Sequence, residues 1–210
     1  MKYPTLLVAL TLLLHGQQQV RHEKEIAFGR ALNAELRRGT PAIQDAMLAD
    51  YVSKLAGRLN VCAQSPLPLT IEVTTNPTKC HISALPGGFL RIPLGAFTQS
   101  ETETDFAFAL AHAMAHVVER HGFGKSTAIE GLANVPLIFT GSHIDGEDDA
   151  LVPSAMLPRV REAEKEADRF ASSWIVGFEP SGEFEAVKKR AMEWMPTRKH
   201  PTLRRASERH

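Results

Sequence analysis

Leu110-Ala111-His112-Ala113-Met114-Ala115-His116-Val117 is the stretch on which the reading of this chain turns. Phe106, Ala109, Leu110, Ala113 and Val117 recur at helical spacing, which predicts a buried helix from Glu101 to about His121. Ser100 or Thr102 is available as its N-cap, acidic residues crowd its first turn, and Gly122 and Gly124 mark its end. Histidines four positions apart on a helix lie one turn apart on the same face. Two neutral imidazoles so placed can each give a nitrogen to one zinc ion at about 2.0 to 2.1 Å. Taken alone, a His-x3-His pair is more often two unrelated side chains than a metal site.

A third ligand has to come from elsewhere. A later helix is predicted from Leu157 to Val176, and it carries Glu164-Lys165-Glu166-Ala167-Asp168 after Arg161. One reading makes this a solvated charged face. The other brings a carboxylate from a second helix to complete a tetrahedral set.

Around these segments the pattern is mixed. Helices are predicted over 21–38, with Phe28, Ala31, Leu32 and Leu36 as the apolar side, and over 43–59. Leu69 to Thr74 alternates as a half-buried strand. Short strands follow around Ile82 and over 89–92, separated by the turn Pro86-Gly87-Gly88, so the sheet is small and partly antiparallel. A helix over 127–139, a polar loop over 141–149 and a last helix capped by Ser181 and ending near Trp194 complete the chain. The fold class is α+β, mainly helical.

Composition sets outer bounds. With 210 residues, 43% hydrophobic and 23% charged, the chain suits one sizeable domain. Lys plus Arg and Asp plus Glu number 24 each, so no net field favours nucleic acid as a partner. Met1-Lys2-Tyr3-Pro4 and the apolar run to Leu14 have the form of a secretory signal. Residues 1–16 are therefore expected to be a signal peptide or an N-terminal anchor, and 17–210 the domain, exported to a bacterial periplasm or the extracellular space. His15-Gly16-Gln17 is a poor cleavage site, which leaves the anchor, or a plain N-terminal helix, open. Cys62 and Cys80 allow either a disulfide or two buried thiols, and lack Cys-x-x-Cys spacing.

The ordered motifs resemble peptidase family M-forty-eight, that of the CAAX prenyl endopeptidase and of bacterial periplasmic proteases. They are Ser83-Ala84-Leu85-Pro86-Gly87-Gly88, then 110–122, then Glu164-x-x-Ala167-Asp168, then His200-Pro201. The resemblance implies a zincin-like (gluzincin) metallopeptidase domain and one Zn2+ per chain, held by His112, His116 and Glu164. It further implies that Asp168 orients a ligand imidazole and that a protein or peptide is the substrate, with a membrane surface left open as a neighbour. By the same resemblance, Pro86, Gly87, Gly88 and the following strand form an edge for substrate. His200 is either a histidine approaching the metal cleft or a surface residue before proline.

One position departs from the family pattern. Its motif is His-Glu-x-x-His, and the second place here is Ala113. The glutamate takes a proton from the attacking water and delivers it to the leaving amine, and a methyl group does neither. Ala113 therefore implies metal binding with impaired peptide cleavage, either as an introduced replacement or in a natural pseudopeptidase. Glu119, a turn beyond His116, is a poor substitute base. Val160 also stands where the family often has serine. Three functions follow: a zinc metalloendopeptidase of exported or membrane-associated proteins, a silent protein that binds unfolded clients in the same cleft, and a helical adaptor without metal.

Overall fold

The computed structural model describes residues 4–122 and 157–195, with side chains described from 22 to 122 and from 158 to 195. The helix expected over 127–139, the loop over 141–149 and His200 lie outside the described residues. Helix α1 spans Pro4–Gly39 and α2 spans Ala46–Ala63. Strands β1 (Thr70–Thr74), β2 (Ser83–Leu85) and β3 (Phe89–Pro93) follow, with a 3-10 turn at Pro86–Gly88. Helices α3 (Leu94–Gln99), α4 (Glu103–Val118), α5 (Leu157–Trp174) and α6 (Phe184–Glu193) complete the order. The chain is α+β, mainly helical, with one small sheet among the described residues.

The sheet order is β1-β3-β2, with β1 parallel and β2 antiparallel to β3. The strand expected to offer a free edge after the turn, β3, is thus the central strand, and its backbone is paired on both sides. The outer strand nearest α4 is β2. Alternation along β3 sends Leu90 and Ile92, both 0% exposed, into the apolar core shared with α2 and α4. Its other face meets α1 through a polar cluster. Asn33 Nδ2 donates to Glu72 Oε1 at 2.8 Å, and Arg91 Nη1 donates to Asn33 Oδ1 at 2.8 Å and to Glu72 Oε2 at 3.3 Å.

This cluster explains why α1 departs from its expected apolar side. Its buried stripe is Glu25, Gly29 and Asn33, spaced by four, while Phe28 and Ala31 are exposed. Periodic hydrophobicity could not reveal a seam made of hydrogen bonds and a glycine. At Gly29 the helix backbone comes so close that an added Cβ would overlap the Pro86 carbonyl and lie 2.9 Å from Phe89. Gly87, at φ +78°, is also closely packed, a Cβ there falling 2.6 Å from Ile26 Cα. Gly29→Ala is expected to cost about 1–3 kcal/mol by overpacking. Gly57→Ala, at an exposed α2 position with nothing within 4 Å of the new Cβ, is expected to gain about 0.5–1 kcal/mol. Urea denaturation of both variants tests this, and equal midpoints would mean that α1 does not seat on the turn.

α4 is bounded as its sequence requires at one end and unexpectedly at the other. Thr102 is the N-cap and forms a capping box with Asp105, the Asp105 N–H donating to Thr102 Oγ1 at 3.2 Å and the Thr102 N–H to Asp105 Oδ2 at 2.8 Å. The helix stops at Val118, before either glycine, because Arg120 takes the left-handed conformation at φ 56°. Ser181, expected to cap α6, accepts from Glu183 N–H at 3.1 Å, but the N-cap residue is Glu183 and Ser181 Oγ donates to buried Glu103 at 2.8 Å. Both cysteines are free thiols, with Cys62 exposed, so neither the disulfide nor a pair of buried thiols is formed. Among the described residues no helix is long and apolar enough to cross a membrane.

Candidate metal centre

α4 presents His112 and His116 one turn apart, with ring centroids 4.8 Å apart and planes at 67°. α5 packs alongside through Ala167 and Ala171, both 0% exposed, whose small side chains let the helices approach. Glu164 and Asp168, one turn apart on α5, thereby reach His112 from the side. His112 Nε2 lies 3.0 Å from Glu164 Oε2 and 3.0 Å from His116 Nε2, and His116 Nε2 lies 3.5 Å from Glu164 Oε2. His112 Nδ1 donates to Asp168 Oδ1 at 2.9 Å. The solvated-face reading therefore fails for Glu164, which points at both rings.

With the His112 Nδ1 proton held by Asp168, its Nε2 turns a lone pair toward a second imidazole nitrogen and a carboxylate. Three lone pairs then converge, and a cation between them would relieve their mutual repulsion. A proton on His112 Nε2 meets that need, and so does a metal ion. The donor separations of 3.0, 3.0 and 3.5 Å bracket the roughly 3.3 Å edge of a tetrahedron around an ion bound at about 2.0–2.1 Å. Two imidazoles and a carboxylate are also a donor set suited to zinc. His112, His116 and Glu164 are thus a group that could hold a metal ion.

The electrostatics of the site follow from burial and from these contacts. Burial holds His116 neutral, lowering its pKa to about 4 against the opposing pull of Glu164. Burial also works against charge on His112, but the Glu164 and Asp168 carboxylates outweigh it and leave its pKa raised. For Glu164, burial favours the acid form, and the two imidazoles overcome it, bringing the carboxyl down to about 2. At neutral pH the site offers an ionised carboxylate and a neutral His116, both ready to donate electron pairs.

No family model matches this chain. Over 197 residues it is 25% identical to a Vibrio cholerae protein provisionally named a beta-barrel assembly-enhancing protease, a match covering 86% of this chain and 40% of that protein. Proteins of Yersinia pestis and Escherichia coli O157:H7, both named beta-barrel assembly-enhancing protease, are 28% identical over 99 and 120 residues, or 47% and 57% of this chain. These relatives are proteases by name. The chain spans at most about 40% of the length of these curated relatives.

The remaining positions read from sequence sort themselves by distance. Ala113 is 1% exposed and packed among apolar side chains. A shallow cleft runs beside His116. Ala84, Leu85 and Pro86 form one wall, and Val117 and Arg120 contribute to the other. Pro86 therefore reaches the cleft, whereas Gly87 and Gly88 are buried, packed against α1 and Pro68. Val160 is buried in the apolar core, consistent with an aliphatic residue there.

Sequence reasoning missed four residues around this site. Glu25 of α1, 1% exposed, accepts from Arg120 Nε at 2.8 Å and from Gly87 N–H at 3.3 Å. His121 Nδ1 lies 3.0 Å from His116 Nδ1, and His121 Nε2 lies 3.1 Å from Glu166 Oε2. No periodic signal marks His121, since it lies beyond the end of α4. A buried glutamate on an otherwise charged helix is equally invisible in sequence.

Proposed function

We propose that this chain is a zincin-like, zinc-dependent metalloendopeptidase-type domain acting on exported or membrane-associated proteins, impaired in hydrolysis because Ala113 stands where a general base is needed. The meeting of His112, His116 and Glu164 at one point carries this reading, and the names of the relatives agree with it. His112, His116 and Glu164 would hold the ion. Bound zinc would act as a Lewis acid and lower the pKa of its water. Asp168, by accepting the His112 Nδ1 proton, fixes the tautomer that presents Nε2 to the ion.

The cleft favours a polypeptide in extended form. β2 is one of the two outer strands of the described sheet and lines the cleft through Ala84 and Leu85, so a client laid against it would gain main-chain hydrogen bonds. Arg120 does not make the cleft a site for acidic ligands, because Glu25 neutralises it. Residues 1–16 as signal or anchor, and β-barrel precursors as clients, belong to this same proposal, the latter by analogy with the relatives' names. The second reading, a pseudopeptidase that holds clients without cutting, is favoured by Ala113 and uses the same cleft.

Metal analysis tests the centre. One equivalent of zinc per chain is expected after loading and dialysis, and under about a tenth of an equivalent in His116→Ala; equal loading of the two proteins would place the metal elsewhere. The pH dependence has a definite sign. Because the His112 pKa is raised, a proton competes with the ion, so affinity is complete above that pKa and is lost as pH falls through it. Zinc affinity from chelator competition is expected to drop about tenfold per pH unit on the acid side, and a flat profile would remove His112 from the ligand set.

A further inference from the structure

The outer nitrogens of the two site imidazoles end differently. His112 Nδ1 meets the carboxylate of Asp168 directly. His116 Nδ1 meets a third imidazole, His121 Nδ1, at 3.0 Å, and the far nitrogen of that ring lies 3.1 Å from Glu166 Oε2. If His116 turns an unprotonated Nε2 inward, its proton is on Nδ1. His121 Nδ1 must then accept, which places the His121 proton on Nε2, where Glu166 accepts it. One tautomer for each ring satisfies every one of these contacts.

The backbone is shaped to bring this about. Arg120 occupies the left-handed region at φ 56°, which L-residues other than Asn and Asp seldom enter. The turn folds the chain back, so that His121 N–H donates to the His116 carbonyl at 3.0 Å and the two rings meet edge to face, 5.0 Å apart at 71°. The Arg120 side chain is held there by Glu25. The His121 side chain is 9% exposed, which shields the contact between the rings from competing water.

We propose that His121 and Glu166 form a positioning relay that fixes the tautomer and orientation of His116, as Asp168 does for His112. Both imidazoles of the centre are then anchored to carboxylates of α5, one directly and one through a ring. The relay rests on the metal reading given above. It assigns His121 a role that a strut between α4 and α5 would not have, namely control of metal affinity.

Zinc affinity of the full chain, measured by chelator competition, separates these roles. His121→Ala is expected to weaken binding about 10- to 100-fold. His121→Asn, which keeps an acceptor near the His116 Nδ1 proton, is expected to regain most of the loss. Glu166→Ala, at a side chain 33% exposed and so tolerant of truncation, is expected to give an intermediate loss and decides the matter if His121→Ala does not fold. Nitrogen-15 spectra of the zinc-loaded chain are expected to show His116 as the Nδ1–H tautomer. Unchanged zinc affinity in the folded variants, even with lowered melting temperature, would overturn the relay and leave the metal centre standing. Failure of the unsubstituted chain to bind zinc would overturn both.

Discussion

Ala113→Glu is expected to raise zinc-dependent cleavage of an unfolded protein such as casein by about 10²- to 10⁴-fold over the unsubstituted chain, the usual contribution of a positioned general base. The site explains why the gain should be large. Its other carboxylates are already engaged: Glu164 with both rings, Asp168 with His112, Glu166 with His121 and Glu25 with Arg120. The outer nitrogens of His112 and His116 are taken up as well. A carboxylate next to His112 would supply the missing acceptor for the proton of water and the donor for the leaving amine. Ala113 is buried, so the change also carries a cost of about 3–5 kcal/mol if the new charge lacks a partner. That cost is smaller than the roughly 5–15 kcal/mol stability of an ordinary domain, so the rate should remain measurable. Melting curves and zinc content are to be recorded beside the assay. A folded, zinc-loaded variant that cuts no faster than its parent would favour the pseudopeptidase reading.

Phe106→Ala is expected to destabilise the chain by about 3–5 kcal/mol. Phe106 is 0% exposed and lies on α4, six residues before His112. Its ring stacks on Phe97 at 4.6 Å and lies 5.4 Å from Phe184 and 6.0 Å from Tyr51, so that α2, α3, α4 and α6 meet at one aromatic cluster. Truncation leaves a cavity where four helices converge, and the cost rises with whatever volume stays unfilled. Zinc offers a separate check, because a ligand that binds only the folded chain at 100 times its Kd restores about 2.7 kcal/mol. Urea titrations of Phe106→Ala with and without zinc should therefore differ by roughly that amount. A loss below about 1 kcal/mol would mean that the cluster does not seat α4.

Much of the scaffold around the site is legible without coordinates. The burial of α4, its Thr102 cap and the turn at Pro86–Gly88 all rest on residues within a few positions of one another, whereas the alternation expected along β1 is absent, because Glu72 and Thr74 are buried on either side of Val73 through partners far away in the chain. Short-range chemistry also places His112 above His116. The misreadings share a cause. The buried face of α1 escapes a periodic reading because its seam joins Glu25 to Arg120, Asn33 to Glu72, and Gly29 to Pro86, pairs far apart in the chain. α3, Leu94–Gln99, is under two turns long and gives no periodic window. β3 could not be assigned to the centre of the sheet, since strand order depends on which segments pair at long range.

By itself the sequence determined that two imidazoles share a helical face and that position 113 carries a methyl group instead of a carboxylate, because helix pitch and residue identity are local properties. Only the tertiary structure decided that Glu164 faces those imidazoles rather than water, that β2 rather than β3 borders the cleft, and that His121 turns back onto His116. Those outcomes depend on how α4 and α5 pack through Ala167 and Ala171 and on the left-handed turn at Arg120. Packing between distant segments is a balance of many weak contacts, and no single stretch of the chain records its result.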